Sequence, residues 1–168
     1  SGVDAVAPPV VERAEGAPPV VERAGGAPPV VERAGGETKR ADVVITMFQT
    51  GAQVLAAYDG DGAGGGLLDV AQPGTLFIDC STIDVDEAQA AHELATAAGH
   101  RMVDAPVSGG VVGAENATLA FMVGGSDADV EAARPLLEAM GQRIVHCGGP
   151  GLGQAAKVCN NMILAVSQ

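Results

Sequence analysis

A lysine and an asparagine four residues apart form the pair in this chain that is best suited to chemistry. Lys157 and Asn161 follow two glycines, Gly151 and Gly153, in the segment Gly151-Leu-Gly-Gln-Ala-Ala-Lys-Val-Cys-Asn-Asn161. Positions i and i+4 of a helix lie on one face, so the two side chains would point the same way. An ammonium group beside an amide can hold a carbonyl oxygen and give it a proton. The alternative for Lys157 is an ordinary, solvent-facing helix lysine.

A second segment, Asp104-Ala-Pro-Val-Ser-Gly-Gly110, offers groups that can bind an anion. Ser108 supplies a hydroxyl, and successive backbone amides at Gly109 and Gly110 can point at one negative charge. A small carboxylate is the ligand that this set fits. The alternative is an ordinary loop turn.

Four segments, in this order, resemble the β-hydroxyacid dehydrogenase family. They are the two segments above together with Ala41-Asp-Val-Val-Ile-Thr-Met47 and Asp79-Cys-Ser-Thr-Ile-Asp84. Within the family, the 3-hydroxyisobutyrate dehydrogenases are the nearest branch. The resemblance implies an oxidoreductase that interconverts a short 3-hydroxy acid and its semialdehyde with NAD or NADP. A sibling activity, a glyoxylate or tartronate-semialdehyde reductase, would use the same motifs.

The resemblance also assigns roles to the two reactive segments. Hydride transfer to an aldehyde leaves an alkoxide, and Lys157 would give that oxygen a proton. Asn161 would bind the substrate or fix Lys157, while Asn160, facing about 100° away, is expected to be structural. Ser108 and the amides of the two following glycines would hold the carboxylate of the substrate.

Cofactor contacts are implied at two strand ends. Thr82 would meet the nicotinamide ribose, and Phe48 and Gln49 would contact the cofactor through their loop. The family usually has Leu-Pro at these last two positions, so the loop departs from its pattern. Gln53 lies where the family often has an asparagine near the cofactor.

Two parts of the family pattern are not found in this sequence. No Gly-x-Gly-x-x-Gly turn, the element that carries the pyrophosphate on a helix N-terminus, precedes Ala41. The family's helical domain follows the catalytic helix, whereas Gln168 falls inside a helical pattern. We therefore expect a partial chain that binds cofactor poorly or not at all by itself. Its strand at Val43–Met47 would be a sheet edge, which favours self-association or a complementing segment.

Alternating strand and helix patterns predict an α/β fold, an incomplete doubly wound (Rossmann-like) sheet with a C-terminal helix. The predicted strands are Asp42–Met47, Thr75–Asp79, Met102–Val107, Thr118–Val123 and Gln142–His146. The predicted helices are Thr50–Tyr58, Asp84–Ala98 with a capping box, Ser126–Met140 interrupted at Pro135, and a last one after Gly151–Gly153. We divide the chain into a repeat linker (1–36), a partial dinucleotide-binding domain (37–150) and the start of an interdomain catalytic helix (151–168).

Three tandem decapeptides, each with a Pro-Pro pair, fill Val6–Gly35. Proline removes a backbone donor and disfavours helix in the residue before it. The repeats therefore predict a disordered, extended linker. A proline-motif ligand for a partner domain is the alternative.

The composition limits the classes of molecule that the chain is expected to bind. A net charge of −12 argues against nucleic acid and anionic membranes, and the few scattered aromatics offer no platform for stacking bases. Three cysteines without Cys-x-x-Cys spacing argue against a disulfide framework or a metal site and favour the cytoplasm. His92, His100 and His146 lack partners at useful spacing; His146 ends a strand, and a surface or packing role is expected for it rather than a place in a cleft. The rival to an enzyme is a non-catalytic α/β interaction domain tethered by the repeats.

Overall fold

A computed structural model describes residues 41–60 and 65–167, which form a mixed sheet of six strands with helices on both faces. The strands are β1 (Val43–Thr46), β2 (Leu76–Asp79), β3 (Arg101–Asp104), β4 (Val107–Ser108), β5 (Leu119–Gly124) and β6 (Gly141–Gly148). The helices are α1 (Gly51–Asp59), α2 (Leu67–Val70), α3 (Val85–Ala97), α4 (Gly110–Glu115), α5 (Asp127–Met140) and α6 (Leu152–Val166). The predicted repeat linker lies outside the described residues.

Three neighbouring parallel strands create the edge at which the predicted site residues meet. β2 lies between β1 and β3, with Thr46 opposite Asp79 and Asp79 opposite Asp104. These three polar residues therefore line up across the carboxyl edge of the sheet. The loops that follow them carry the predicted cofactor and substrate residues.

The predicted strand Met102–Val107 is wrong as a single element. β3 ends at Asp104, and β4 begins after Pro106, which has no backbone N–H to continue the ladder. The antiparallel register against β5 nevertheless continues across the break, from Asp104 opposite Gly124 to Ser108 opposite Ala120. β5 is thus antiparallel to β3 and β4 but parallel to β6, so the sheet is mixed rather than fully parallel.

Two hydrophobic cores, one on each face, confirm the doubly wound architecture. Phe77 packs in the core beneath α1, α2 and α3, whereas Leu76 and Ile78 pack in the core beneath α5. Successive strand residues point to opposite faces, so an apolar strand such as β2 serves both cores. Among the described residues, β1 pairs with β2 only and lies at the edge of the sheet.

Local sequence signals explain where the helices begin. Thr50 caps α1 through its side chain, and Asp84 and Glu87 form the predicted capping box of α3. The predicted interruption of α5 at Pro135 is wrong, because the helix runs unbroken to Met140. Pro135 lies on its exposed side, where water can satisfy the carbonyl that loses its partner. Neither short helix, α2 or α4, was predicted from the sequence.

Candidate functional site

A buried carboxylate at the end of β2 joins the two loops predicted to contact the cofactor. Asp79 Oδ1 accepts hydrogen bonds from Thr46 Oγ1 at 2.9 Å and from Ser81 Oγ at 2.6 Å. Ser81 Oγ in turn accepts from the backbone N–H of Phe48 at 2.8 Å. Burial raises the pKa of the Asp79 carboxyl. The loop after β1 is therefore fixed to the loop after β2 by hydrogen bonds within the chain.

The predicted cofactor residues surround this junction. The backbone N–H of Gln49 donates to Gln53 Oε1 at 3.1 Å, so the first turn of α1 closes the Phe48–Gln49 loop. Phe48 is half-buried against the α1–α3 core, whereas Gln49 is exposed. Thr82, the residue after Ser81, is also exposed. The structure thus brings all four predicted positions to the carboxyl edge of β1 and β2.

A second buried carboxylate, Asp104 at the end of β3, holds the N-terminus of α6. Its Oδ1 accepts from the backbone N–H of Gly151 at 2.8 Å, and its Oδ2 accepts from that of Gln154 at 3.0 Å. His92 Nε2, from α3, completes the set at 3.1 Å from Oδ1. A carboxylate stabilises a helix N-terminus because unsatisfied amides and the positive end of the helix dipole meet there. Asp104 therefore fixes the start of the lysine-bearing helix to the sheet.

Glycine is required at position 153 because the helix approaches the sheet closely there. A Cβ on Gly153 would lie 2.7 Å from Asp104 Oδ2 and 2.5 Å from the carbonyl oxygen of Met122. No side chain fits against these backbone and carboxylate oxygens. The Gly-x-Gly spacing before Lys157 thus serves helix packing, and Gly151 adopts the left-handed conformation at the N-cap.

Lys157 lies one turn beyond Gln154 and is buried, with 8% of its surface exposed. Burial lowers the pKa of its ammonium group from the ordinary lysine value, because desolvation disfavours the charged form. Asn161 is exposed, although it shares the helix. Asn160 is half-buried, and within the described residues its Nδ2 is a buried donor without an acceptor.

The predicted carboxylate-binding residues form a strand end and a helix start rather than a loop. Ser108 is the last residue of β4, and Gly109 and Gly110, both with positive φ, lead into α4. Ser108 pairs with Ala120 of β5, and α6 packs against the same strand. The two predicted halves of the substrate site therefore both adjoin β5.

Several polar contacts were not predicted from the sequence. His92 was expected to lack a partner, which is wrong, because it bonds to Asp104. His100 is buried with Nε2 2.9 Å from the carbonyl oxygen of Leu68, and His146 Nε2 lies 3.1 Å from that of Gly125. A surface or packing role was expected for His146. Gln154, fully buried, was not singled out at all.

The carboxyl edge fits the nicotinamide half of a dinucleotide better than the pyrophosphate half. Open α/β sheets bind ligands outside the carboxyl ends of their strands, and the exposed Thr82 lies in the loop at that edge. Among the described residues, β6, Gly151 and α6 form a strand, a glycine turn and a helix. The Asp104 carboxylate already occupies the N-terminus of that helix, where a pyrophosphate would bind. In the same residues, no cluster of three metal-ligating side chains occurs, and no helix is long and apolar enough to span a membrane.

Comparisons with known proteins agree with this architecture. The family model of the NAD binding domain of 6-phosphogluconate dehydrogenase matches residues 14–149. A probable 3-hydroxyisobutyrate dehydrogenase of Mycobacterium bovis is 56% identical over 128 residues, 76% of this chain and 42% of that protein. An NAD-dependent L-serine dehydrogenase of Pseudomonas aeruginosa is 52% identical over 126 residues, 75% of this chain and 41% of that protein.

A solved structure extends the likeness to three dimensions. The 3-hydroxyisobutyrate dehydrogenase of Mycobacterium tuberculosis, determined with L-serine, superposes with a TM-score of 0.70 at 56% identity, covering 75% of this chain and 41% of that one. The chain thus spans about two fifths of the length of these relatives. With the family model matching more than half of its residues, the chain belongs to the NAD-binding domain family of the β-hydroxyacid dehydrogenases.

Proposed function

We propose that this chain is the part of an NAD(P)-dependent 3-hydroxyacid dehydrogenase that carries the catalytic lysine and the nicotinamide-facing loops. The whole enzyme interconverts a short 3-hydroxy acid and its semialdehyde. The observation that carries the proposal is Lys157, buried on a helix whose start is fixed to the sheet by Asp104. The division at residues 36 and 150, the cytoplasmic location and the use of NADP beside NAD belong to the same proposal.

Proton transfer at the substrate oxygen is the role of Lys157. A nicotinamide held by Thr82 and the loop of Phe48 and Gln49 would supply a hydride in the reductive direction. As negative charge builds on the oxygen, the Lys157 ammonium donates a proton to it, and the neutral amine takes that proton back during oxidation. A lowered lysine pKa brings the group closer to the working pH, where proton transfer both ways is efficient. Asn161 binds the same oxygen or orients Lys157.

Substrate and cofactor are held by the remaining predicted residues. Ser108 and the amides of Gly109 and Gly110 bind the substrate carboxylate. Thr82, together with the loop of Phe48 and Gln49 and the adjacent Gln53, binds the nicotinamide end. The hydrogen bonds through Asp79 and Ser81 support this assignment because they fix the two loops to each other before any ligand arrives.

L-serine oxidation is a second candidate, favoured by two relatives whose names contain that amino acid. L-serine is itself a 3-hydroxy acid and differs from 3-hydroxyisobutyrate at carbon 2, where an ammonium replaces a methyl group. A methyl group is bound by apolar neighbours, whereas a buried ammonium group needs hydrogen-bond acceptors or a negative charge. Turnover measured with 3-hydroxyisobutyrate, L-serine, glycerate and tartronate semialdehyde would distinguish these activities.

The first experiment combines NADH and NADPH titration of the chain with assays of semialdehyde reduction, alone and with a family-type N-terminal segment added. Lys157→Ala should lower the rate by about 100-fold or more, the usual contribution of a general acid. Lys39→Ala, at the other lysine of the chain, is the matched control and should leave the rate unchanged. A Lys157→Ala variant with near wild-type turnover would refute the catalytic role. Absence of both binding and turnover would favour the interaction-domain alternative.

Self-association through β1 is the final part of the proposal. Its residues Val43, Val44 and Ile45 are half-buried, and within the described residues only β2 pairs with the strand. An apolar edge with free amides recruits another strand. Wild-type chain should therefore sediment as oligomers, and Ile45→Lys should shift it toward monomer. A wild-type chain that stays monomeric at high concentration would contradict this proposal.

A further inference from the structure

The Gln154 side chain connects α6 to the loop after β2, two elements whose relative position matters for the proposed reaction. Its Nε2 donates to the backbone carbonyl oxygen of Ser81 at 2.7 Å, and its Oε1 accepts from the backbone N–H of Ile83 at 3.2 Å. These two backbone groups flank Thr82 on either side. The amide of Gln154 thus binds the loop after β2 on both sides of the exposed Thr82. The two partners lie more than seventy residues from Gln154 in the sequence.

The same residue is fixed at its backbone. Its N–H donates to Asp104 Oδ2 at 3.0 Å, in the first turn of α6. The side chain is fully buried, so neither hydrogen bond competes with solvent. Lys157 follows three residues later on the same helix face. One residue therefore links the end of β3, the loop after β2 and the lysine.

Glutamine suits this position for a chemical reason. The bridge needs one donor and one acceptor on a single planar group, and an amide offers both. Methionine has nearly the same length and burial preference but can do neither. Glutamate keeps the acceptor but, when ionised, would face the carbonyl oxygen of Ser81 with a second acceptor. A purely space-filling role would tolerate methionine.

We propose that Gln154 is a positioning residue that couples the Thr82 loop to the Lys157 helix, so that nicotinamide binding at the loop sets the position of the lysine. This inference rests on the proposed function for the roles of Thr82 and Lys157. Both ends of the Gln154 amide are hydrogen-bonded within the chain, so its proposed role is not a contact with the substrate. Gln154 acts by holding the Thr82 loop and the Lys157 helix in a fully buried geometry that allows little relative movement between them.

The test uses the two-lysine composition of the chain. Lysine labelled with ¹³C and ¹⁵N gives side-chain NMR signals for Lys39 and Lys157 alone, and Lys39→Arg assigns them. NADH should shift the Lys157 signal in the wild type. In Gln154→Met the shift should be lost, while NADH still binds and circular dichroism shows a folded chain. Gln142→Met, at an exposed glutamine of β6, is the matched control and should respond like the wild type.

A Lys157 response that persists in Gln154→Met would overturn the coupling. If the methionine variant does not fold, Gln154→Glu replaces it, since it preserves size and one hydrogen bond. If the wild type does not bind NADH, either alone or with a family-type N-terminal segment added, the proposed function fails for this chain, and Thr82→Val takes the place of the ligand. That change should then move the Lys157 signal in the wild-type background but not beside Gln154→Met, and an unmoved signal in both would also overturn the coupling.

Discussion

The two halves of α6 share one helix but differ in what surrounds them. The first half, which ends at Lys157, buries Gly153, Gln154 and the lysine itself and is hydrogen-bonded to β3 and to the loop after β2. The second half carries most of the large apolar side chains of the helix, yet these are exposed: Val158, Met162, Ile163, Leu164 and Val166. The position of the lysine is therefore set by polar bonds at the helix start, not by a continuous apolar face.

An exposed apolar surface of this kind is typical of contact with another element or protein. The second half of α6 therefore adds little to the stability of the described fold. The first half, in contrast, contains Gly153, where any side chain would displace Asp104 or the sheet. Substitutions in the two halves should separate these two contributions.

The largest effect on folding is expected at Gly153. Gly153→Val should lower the free energy of unfolding by about 3 kcal/mol or more, because its side chain would overlap the Met122 carbonyl and the Asp104 carboxylate. Gly149→Ala is the control, since a Cβ there meets no atom within 4 Å. Urea unfolding followed by circular dichroism measures both. Equal stability of the two variants would show that the close approach of α6 is not maintained in solution.

A smaller effect is expected in the second half. Leu164→Ala should cost less than about 1 kcal/mol, because the leucine is 48% exposed and loses little burial. Leu137→Ala, the same change at a fully buried position of α5, should cost about 2–5 kcal/mol. The same urea titrations compare the pair. A large loss at Leu164 would mean that the second half is covered, and sedimentation at several concentrations would show whether a second copy covers it.

Sequence patterns were sufficient for elements whose cause is local. The run of β-branched residues in β1 and the capping box of α3 predicted their elements because burial on two faces and helix capping leave direct marks in the sequence. The break at Pro106 was missed because the chain continues in one register on both sides of it. The continuity of α5 past Pro135 was missed because tertiary packing of its buried face outweighs the cost of the proline.

The site was predictable only in part. Motif spacing identified Lys157 and the loops around Thr82 and Ser108, because each motif is contiguous in sequence. Gln154, Asp104 and His92 were not assigned roles, because their partners lie between 12 and 73 residues away. A buried hydrogen bond between distant residues leaves no periodic signal. The one available hint for Asp104 was an aspartate at a strand end, as the first residue of the substrate segment.

The protonation of Lys157 tests the central claim most directly. A pH titration of the two lysine side-chain NMR signals should give Lys157 a pKa below the ordinary value of 10.5, because burial disfavours its charge, while Lys39 serves as the internal comparison. The proton donor is lost as pH rises through that pKa, so the rate of carbonyl reduction should fall with the same midpoint. A Lys157 that titrates at or above 10.5, with a reduction rate that does not follow it, would contradict the account.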